Sequence, residues 1–338
     1  MNKLIEESLR EPNANVSAPD KDMVWIPGGT FKMGSERFYP EERPVHEVCV
    51  DGFWMDRYTV TNDQFARFVA ETGYNTVAER TPDAKDYPGA PPESLVPGSM
   101  VFHKTRGRVD TRDYSNWWSW VPGANWNHPF GPQSSIEGIG NHPVVHVADE
   151  DAQAYARWAG KELPTEAEWE FAARGGVDGA DFAWGNEHFP NGKAMANTWQ
   201  GEFPWQNLLI DGYEGTAPVG SFPPNGYDLY DMAGNVWEWT ADWFAPRHGD
   251  GEIKSCCGPV SNPRVLSPDG SYDPAQPEFH IPRKVLKGGS FLCAPNYCLR
   301  YRPAARQAQM IESATNHLGF RCVIRNRTNP AEAASMPV

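Results

Sequence analysis

Short runs of apolar residues between turn-forming residues predict strands at both ends of the folded region. The segment from Met23 to Gly29 predicts a short strand followed by a turn, because apolar residues there lead into Pro-Gly-Gly. The same pattern predicts further strands at Thr30–Met33 and Val48–Phe53, a short aromatic strand or turn at Val236–Trp239, and closing strands at Val285–Leu292 and Gly319–Ile324.

Two segments have the apolar spacing and the end signals of helices. Thr61 and Gln64 have the spacing of a capping box, in which each side chain bonds the backbone of the other residue. The helix that they begin is predicted to end at Gly73. A second helix is predicted over Asp149–Ala159, and Gly160 follows it as a stop signal.

A third helix has the clearest boundaries of the three. Thr165 and Glu168 have capping-box spacing, which predicts the start of the helix. Trp169 and Ala172 share one side of that helix and are predicted to face the core. Gly175 begins a glycine pair that predicts its end.

The composition favours loops over long regular elements. The 338 residues include 31 Gly, 31 Pro and 14 Trp, and such a composition is typical of a chain rich in turns and packed with aromatic side chains. No Pro/Gly/Ser-rich linker divides the chain. We therefore predict one irregular, loop-rich α+β domain over residues 23–325, with a polar leader at Met1–Asp22 and a tail at residues 326–338.

Charge and hydropathy exclude several classes of function. The formal net charge is −14, so most of the surface would repel a nucleic acid backbone. No run of 18 apolar residues predicts a membrane helix, and the polar leader lacks the apolar stretch of a secretory signal. These features predict a cytoplasmic protein without nucleic acid or membrane partners. Glycine-rich nucleotide loops and zinc-hydrolase motifs are absent from the sequence.

The six cysteines include one pair whose spacing points to chemistry. Cys293 and Cys298 stand five positions apart, and Pro295-Asn296 between them is turn-forming, so the backbone can bring both sulfurs together. Such a pair can close a disulfide or hold one metal ion. Two soft thiolates suit copper(I), whereas zinc normally requires four ligands. Cys256 and Cys257 are adjacent and have no assigned role.

The segments around this pair resemble a known enzyme family over most of the chain. Gly-Gly-Ser precedes Cys293, and Arg-x-Arg follows Cys298. Together with other motifs in the same order, these segments resemble the formylglycine-generating enzymes, also called sulfatase-modifying factors. The other motifs are Trp-Ile-Pro-Gly-Gly at residues 25–29, His-Pro-Val-Val-His-Val at 142–147, Leu-Pro-Thr-Glu-Ala-Glu-Trp-Glu at 163–170, Gly-Asn-Val-Trp-Glu-Trp at 234–239 and Leu-Gly-Phe-Arg-Cys at 318–322.

The resemblance implies a fold, a reaction and a substrate. The fold would be the C-type-lectin-like fold of this family. Cys293 and Cys298 would bind copper(I), and the enzyme would act on an unfolded or nascent sulfatase segment that carries Cys-x-Pro-x-Arg. With molecular oxygen and a thiol reductant, the substrate cysteine would become Cα-formylglycine.

The resemblance also assigns roles to residues near the pair. It places Ser290 in the active site, where the alternative is a turn serine after two glycines, and His317 in the substrate groove, where the alternative is a surface histidine. Tyr297 is expected to pack around the site. Four arginines nearby either attract a substrate carboxylate or form buried ion pairs, and we favour the ion pairs. These arginines are Arg300, Arg302, Arg306 and Arg321.

Two calcium sites and one missing disulfide partner also follow from the resemblance. Secreted relatives have cysteines where this chain has Ala156, Ala173 and Pro303, so Cys322 is predicted to be a buried free thiol. Oxygen ligands in loops suit calcium. The first site would use Asn197, Asp211 and the carbonyls of Thr198 and Tyr213, and the second Asp231, Glu238 and the carbonyls of Gly234 and Val236.

Two other functions are compatible with parts of the pattern. The chain is alternatively a non-catalytic C-type-lectin-like binding module in which Cys293 and Cys298 form an inert disulfide. The other alternative is a relative of the iron-dependent sulfoxide synthases, which share much of the motif pattern. A sulfoxide synthase requires a cluster of histidine ligands, usually on an added helical domain, and the leader is too short for such a domain.

Overall fold

The computed structural model describes residues 18–91, 95–249 and 258–325. Most of the predicted leader, the predicted tail, Cys256 and Cys257 lie outside these residues. Within them the chain forms three α-helices and twelve strands. The strands are β1 (Met23–Ile26), β2 (Gly29–Met33), β3 (His46–Val50), β4 (Phe53–Asp56), β5 (Gly98–Phe102), β6 (Trp118–Pro122), β7 (Trp237–Trp243), β8 (Val260–Ser261), β9 (Arg283–Lys287), β10 (Arg306–Met310), β11 (Leu318–Gly319) and β12 (Val323–Arg325).

All three predicted helices are present. They are α1 (Asn62–Thr72), α2 (Asp149–Trp158) and α3 (Glu166–Arg174), and the predicted capping boxes begin α1 and α3. Gly73 and Gly175 end these two helices in the left-handed conformation, as the sequence predicted. In the described part of the chain, no helix has the length and the apolar character needed to cross a membrane.

The strands form four small sheets, and no sheet dominates the described structure. The sheet beneath the candidate site has the order β10-β9-β7-β11. In it, β9 pairs antiparallel with both β10 and β7, while β11 runs parallel to β7. The others have the orders β1-β4-β12, β2-β3-β8 and β5-β6.

Several predicted strand boundaries were wrong because turns divide the apolar runs. The run Val48–Phe53 is divided between β3 and β4 by a tight turn, where the chain packs against Gly28. A Cβ atom at Gly28 would lie 2.5 Å from the carbonyl oxygen of Val50. The run Gly319–Ile324 likewise contributes to two sheets, and the strand predicted at Val285–Leu292 ends at Lys287. The predicted Val236–Trp239 element extends to Trp243.

Helix α3 lies at the centre of the molecule, and every one of its residues is buried. The prediction that Trp169 and Ala172 face inward is confirmed, although the whole helix surface is in fact covered. Cys322 is also buried and free, as predicted. Complete burial of a charged helix requires partners for its carboxylates, and basic side chains from later strands supply them.

The four arginines of the sequence analysis form ion pairs. Arg306 Nη2 lies 2.7 Å from the α3 residue Glu166, and Arg321 Nε lies 2.7 Å from Glu238. Arg302 forms a bidentate ion pair with Glu42, and Arg300 forms an ion pair with Glu41 at 2.7 Å. The favoured interpretation of these arginines is therefore confirmed, and the basic residues fix the segment after the cysteines against the core.

Candidate active site

The candidate site begins where β9 ends, because two glycines turn the chain there. Gly288 and Gly289 have φ angles of 91° and 72°. A Cβ atom at Gly289 would lie 2.9 Å from the backbone nitrogen of Tyr301. Glycine at 289 therefore allows the chain before Cys293 to lie directly against the chain after Cys298.

The sulfurs of the two cysteines lie side by side. The Sγ atoms of Cys293 and Cys298 are 3.2 Å apart, and both residues are free thiols rather than halves of a disulfide. The carbonyl of Ala294 accepts backbone hydrogen bonds from Tyr297 and Cys298, at 3.0 and 2.8 Å. This turn confirms the bend that the sequence predicted between the cysteines.

The two thiols have different environments. Cys293 is buried, with 2% exposed, whereas Cys298 is partly exposed. The hydrogen bond from Cys293 lowers the pKa of Cys298 to about 7 against the opposing effect of burial, and the charge of Arg300 acts in the same direction. Burial raises the pKa of Cys293 well above its usual value. Cys298 is therefore the thiol of the pair that ionises more readily.

Arg300 is held beside this thiol by residues from the start of the chain. Its Nη1 atom lies 4.0 Å from the sulfur of Cys298, and its Nη2 atom bonds Glu41 at 2.7 Å. The guanidinium carbon stands 3.8 Å from the ring centroid of Tyr39. Tyr39 also accepts a hydrogen bond from the backbone of Leu299, at 3.0 Å. The charge of Arg300 is therefore fixed in position rather than free in solvent.

Ser290 contacts Cys293 through its backbone. Its N–H donates to the sulfur of Cys293 at 3.4 Å, while its hydroxyl accepts from the backbone of Leu292 at 3.2 Å. Ser290 is fully buried beneath the groove. In this structure its side chain stabilises the turn, and its backbone holds the sulfur.

The two sulfurs lie at the floor of an open groove of 560 Å³. The groove is lined by a group of aromatic residues and by glutamines from β10 and from the segment before β9. We call the aromatic group the aromatic side. The aromatic side consists of Tyr114, Trp117, Trp118, Phe203 and Tyr297, and the glutamines are Gln276, Gln307 and Gln309. A groove with apolar and amide surfaces suits an extended peptide, because amides can pair with its backbone while rings cover its side chains.

Tyr297 forms part of the aromatic side, as the sequence analysis expected. Its ring stacks on Phe203, with centroids 4.4 Å apart, and meets the edge of Trp117 at 5.6 Å. Although it packs on these rings, 41% of Tyr297 remains exposed toward the groove. Its position therefore allows contact with a bound ligand next to the sulfurs.

His317 lies at the far end of the same groove. Its Nδ1 atom is 2.8 Å from the hydroxyl of Thr315, and its ring packs against Trp118 with centroids 4.9 Å apart. Burial lowers the pKa of His317, and the nearby His146 acts in the same direction. The imidazole is therefore neutral at pH 7 and offers a polar atom to a ligand without adding charge.

The donor set at the floor of the groove fits a soft metal ion. Metal–thiolate bonds are about 2.3 Å long, taking zinc as the reference, so two sulfurs 3.2 Å apart can both reach a single ion. Thiolate sulfur selects copper(I) over hard cations. In the parts of the chain that the structure describes, no group of three or more His, Cys, Asp or Glu side chains could hold a metal.

The residues of the first predicted calcium site lie together. Asn197 is buried, and its Oδ1 atom has no hydrogen-bond partner. Asp211 accepts hydrogen bonds from the backbones of Thr198 and Tyr213, both at 3.1 Å, and from the amide of Gln200 at 2.6 Å. Asn197 directly precedes Thr198, whose backbone bonds Asp211, so a buried oxygen without a partner and a carboxylate belong to one loop; both are ligand types that suit a hard cation.

The residues of the second predicted calcium site do not fit an ion in this arrangement. Both carboxylate oxygens of Glu238 bond Arg321, and one of them also accepts from the indole of Trp169 at 2.8 Å. Asp231 accepts from the backbone of Gly220 at 2.8 Å, and burial raises its pKa to about 6. The backbone N–H of Gly234 donates to Gly288, which links this second set to the turn that precedes the cysteines.

Sequence reasoning missed the residues that reach the groove from distant segments. Tyr39 and Glu41 contact Arg300 from about 260 positions away, and no local pattern marks them. Trp117 and Phe203 likewise have no signal of their own beyond the high tryptophan content. Thr315 lies two residues before His317, and this short spacing is the one signal that could have suggested their contact.

Comparison with known proteins places this chain in a family. Residues 8–326 match the model of the sulfatase-modifying factor enzyme 1-like domain. A formylglycine-generating enzyme from Mycobacterium tuberculosis is 55% identical over 303 residues, which cover 89% of this chain and 97% of that protein. A formylglycine-generating enzyme from Thermomonospora curvata is 49% identical over 306 residues, covering 89% and 93%.

A solved structure supports the fold independently of these relatives. PvdO from Pseudomonas aeruginosa aligns with a TM-score of 0.61 at 23% identity, covering 91% of this chain and 96% of that one. At this identity the likeness concerns the fold alone. Together with the family model, it confirms the predicted loop-rich α+β domain of this family.

Proposed function

Since this chain belongs to the sulfatase-modifying factor enzyme 1-like family, we propose that it converts a peptidyl cysteine into Cα-formylglycine. One observation carries the proposal. The free thiols of Cys293 and Cys298 lie 3.2 Å apart at the floor of a groove that is open to an extended peptide. A binding module would need neither free thiols in contact nor a fixed cation beside them.

The substrate is an unfolded or nascent sulfatase segment with the sequence Cys-x-Pro-x-Arg. The open groove supports this substrate class, because a cysteine inside a folded domain would not reach a buried sulfur such as that of Cys293. The aromatic side of the groove offers flat surfaces to a proline ring, and Tyr297 is the exposed member nearest to the cysteines.

Cys293 and Cys298 hold copper(I) through their sulfurs, and the bound ion supplies one-electron chemistry toward molecular oxygen. The chain's own residues prepare the donor atoms. Arg300 favours the thiolate of Cys298, and the backbone N–H of Ser290 holds the sulfur of Cys293 in place. The stacked rings of Phe203 and Tyr297 line the same groove as the sulfurs and offer them an apolar neighbour.

The overall reaction balances with a thiol reductant. The substrate –CH2–SH group becomes –CHO, and its sulfur leaves as hydrogen sulfide. One oxygen atom of O2 enters the aldehyde, and the other becomes water with the hydrogens of two reductant thiols, which join as a disulfide. The four free thiols among the described cysteines suit a reducing compartment, and we propose the cytoplasm.

We also propose that the first calcium site is structural. Its support is the unpartnered Oδ1 atom of Asn197, together with the hydrogen bond from the next residue, Thr198, to the carboxylate of Asp211. The second set carries no such support, because Arg321 already neutralises Glu238.

The reaction is tested with copper-loaded protein, oxygen, a thiol reductant and a Cys-x-Pro-x-Arg peptide. Mass spectrometry should detect the change from –CH2–SH to –CHO in the peptide, and hydrogen sulfide should accumulate with it. Cys298→Ser should lower the rate at least 100-fold and should abolish stoichiometric copper(I) binding, because one sulfur donor is lost.

Cys49→Ser is the matched control, since Cys49 is a partly exposed free thiol on β3, away from the groove. It should keep both copper binding and turnover. Failure of the copper-loaded wild-type protein to convert the peptide would overturn the proposed activity.

A further inference from the structure

A second groove, of 790 Å³, lies beside the cysteine groove. We call it the side groove. Prolines and aromatic rings form most of its surface, contributed by the end of β7 and by the segment before β9. Its main lining residues are Phe244, Pro246, Tyr272, Pro274, Pro277 and Phe279.

The charges in the side groove are already paired. Asp273 lies 3.0 Å from Arg283, and Arg283 also stands over the ring of Phe244, at 5.4 Å. Glu41 is held by Arg300. Because these charges have partners, the surface left for a ligand is apolar, and 40% of the Tyr272 surface is exposed.

The two grooves share a wall. Gln276 lines the cysteine groove, whereas Pro274 and Pro277 on either side of it line the side groove. Arg300 also lines the cysteine groove, and its ion-pair partner Glu41 lines the side groove. At these two places, only one layer of residues separates the grooves.

A few residues of extended peptide are long enough to span the distance between the two grooves. Arg300 contacts the sulfur of Cys298 at 4.0 Å with one nitrogen and Glu41 at 2.7 Å with another. Since both nitrogens belong to one planar guanidinium, the Glu41 carboxylate lies within roughly 10 Å of the sulfur. An extended chain spans about 3.3–3.6 Å per residue, so about three residues bridge this distance.

We propose that the side groove is a second substrate subsite, which binds apolar side chains about three or more residues away from the target cysteine. This inference rests on the proposed function, because it takes the cysteine groove as the substrate site. An unfolded substrate presents apolar side chains that its folded form would bury, and the paired charges of the side groove leave it complementary to them.

The test compares three peptides that share the Cys-x-Pro-x-Arg core. One is the core alone, and the others carry four additional apolar residues before or after it. Binding is measured by fluorescence anisotropy with the target cysteine replaced by serine, and turnover is measured with the cysteine present. The protein variants are Tyr272→Ser/Phe279→Ser and, as a matched control, Leu266→Ser, which removes a 70% exposed side chain from the same segment.

One of the two extended peptides should bind wild-type protein about tenfold more tightly than the core peptide. The double variant should lose this preference and still bind the core peptide normally, which shows that it is folded. Leu266→Ser should keep the preference.

Equal binding of all three peptides, or a preference that survives in the double variant, overturns the subsite. If the core peptide is converted but extension changes nothing, the proposed activity stands and the subsite fails. If extension strengthens binding through Tyr272 and Phe279 but no peptide is converted, the subsite stands and the activity fails.

Discussion

Several buried carboxylates in and around α3 are paired with buried basic side chains. Glu170 is fully buried and bonds Lys287 at 3.0 Å and Arg174 at 2.7 Å. Burial alone would raise the pKa of Glu170, but Lys287 and Arg174 lower it to about 2. Removing one partner of such a pair leaves an unpaired buried charge and costs about 3–5 kcal/mol. Each buried ion pair of α3 therefore contributes to holding the neighbouring segments against this helix.

His146 predicts a pH dependence of stability. It is fully buried between Ser99 and the carbonyl of Pro129, and burial lowers its pKa to about 4. Because the unfolded pKa is about 6.5, this contribution to stability is complete above pH 6.5 and is lost as the pH falls through 4. The loss should reach about 3 kcal/mol and is measured as the free energy of unfolding in urea at pH 7 and pH 4.

His146→Gln should be less stable than wild type at pH 7, and the difference should shrink at pH 4, because glutamine does not titrate. His103→Gln, at an exposed position, should keep the wild-type profile. The same slope in His146→Gln and wild type would contradict this assignment.

At the scale of elements, turns rather than strands place the reactive atoms. Strand β9 ends directly before Gly288 and Gly289. The turn between the cysteines then reverses the chain, so that Tyr301 packs against Gly289. The neighbouring strand β7 pairs with β9 on both sides of a β-bulge, and its Glu238 pairs with Lys287, directly before Gly288. The cysteine pair therefore depends on the backbone conformation at two glycines.

Gly289→Ala should disrupt the site. Alanine at φ 72° is strained, and its Cβ atom would also meet the backbone of Tyr301 and Arg300 at 2.9–3.0 Å. We expect a loss of about 3 kcal/mol or more in the free energy of unfolding and at least a 100-fold loss of turnover. Urea denaturation and the peptide assay measure these effects.

Gly192→Ala is the matched control, because Gly192 has a φ of 73° and open space around its Cβ position. It should lose only about 1–2 kcal/mol, from backbone strain, and should retain activity. Equal losses in the two variants would show that contact with Tyr301 does not matter.

At the scale of the whole molecule, the loop of the proposed first calcium site is connected to the cysteines by hydrogen bonds. Trp199 donates to the carbonyl of Cys293 at 3.0 Å, and Phe291 donates to the carbonyl of Asn235 at 3.0 Å. Asn197 in turn donates to the side chain of Asn235, at 3.1 Å. An ion that orders this loop therefore also orders the catalytic segment.

Calcium should stabilise the protein by mass action. At about 100 times its Kd, calcium should raise the free energy of unfolding by about 2.7 kcal/mol, measured by urea denaturation with calcium or with a chelator. Asp211→Asn should remove most of this gain, because it removes the charge of the site.

Asp269→Asn changes an exposed carboxylate elsewhere and should leave the calcium effect intact. If calcium stabilised Asp211→Asn as strongly as wild type, its binding site would lie elsewhere.

The sequence by itself determined features that depend on neighbouring residues. The capping boxes at Thr61 and Thr165 set two helix starts, because each box is closed within three residues. The turn that brings Cys293 and Cys298 together is also local, and so it was predicted. The loop-rich fold followed from composition and from the family motifs.

Only the tertiary structure decided which distant segments meet. Strands β5, β6 and β10 had no clear pattern, because their stability comes from pairing with segments far away in the chain. The contacts of Tyr39 and Glu41 with Arg300 cross about 260 residues, as does the shared wall of the two grooves. The spacing of residues in the sequence predicts hydrogen bonds within a turn, whereas contacts between distant loops depend on the path of the whole chain.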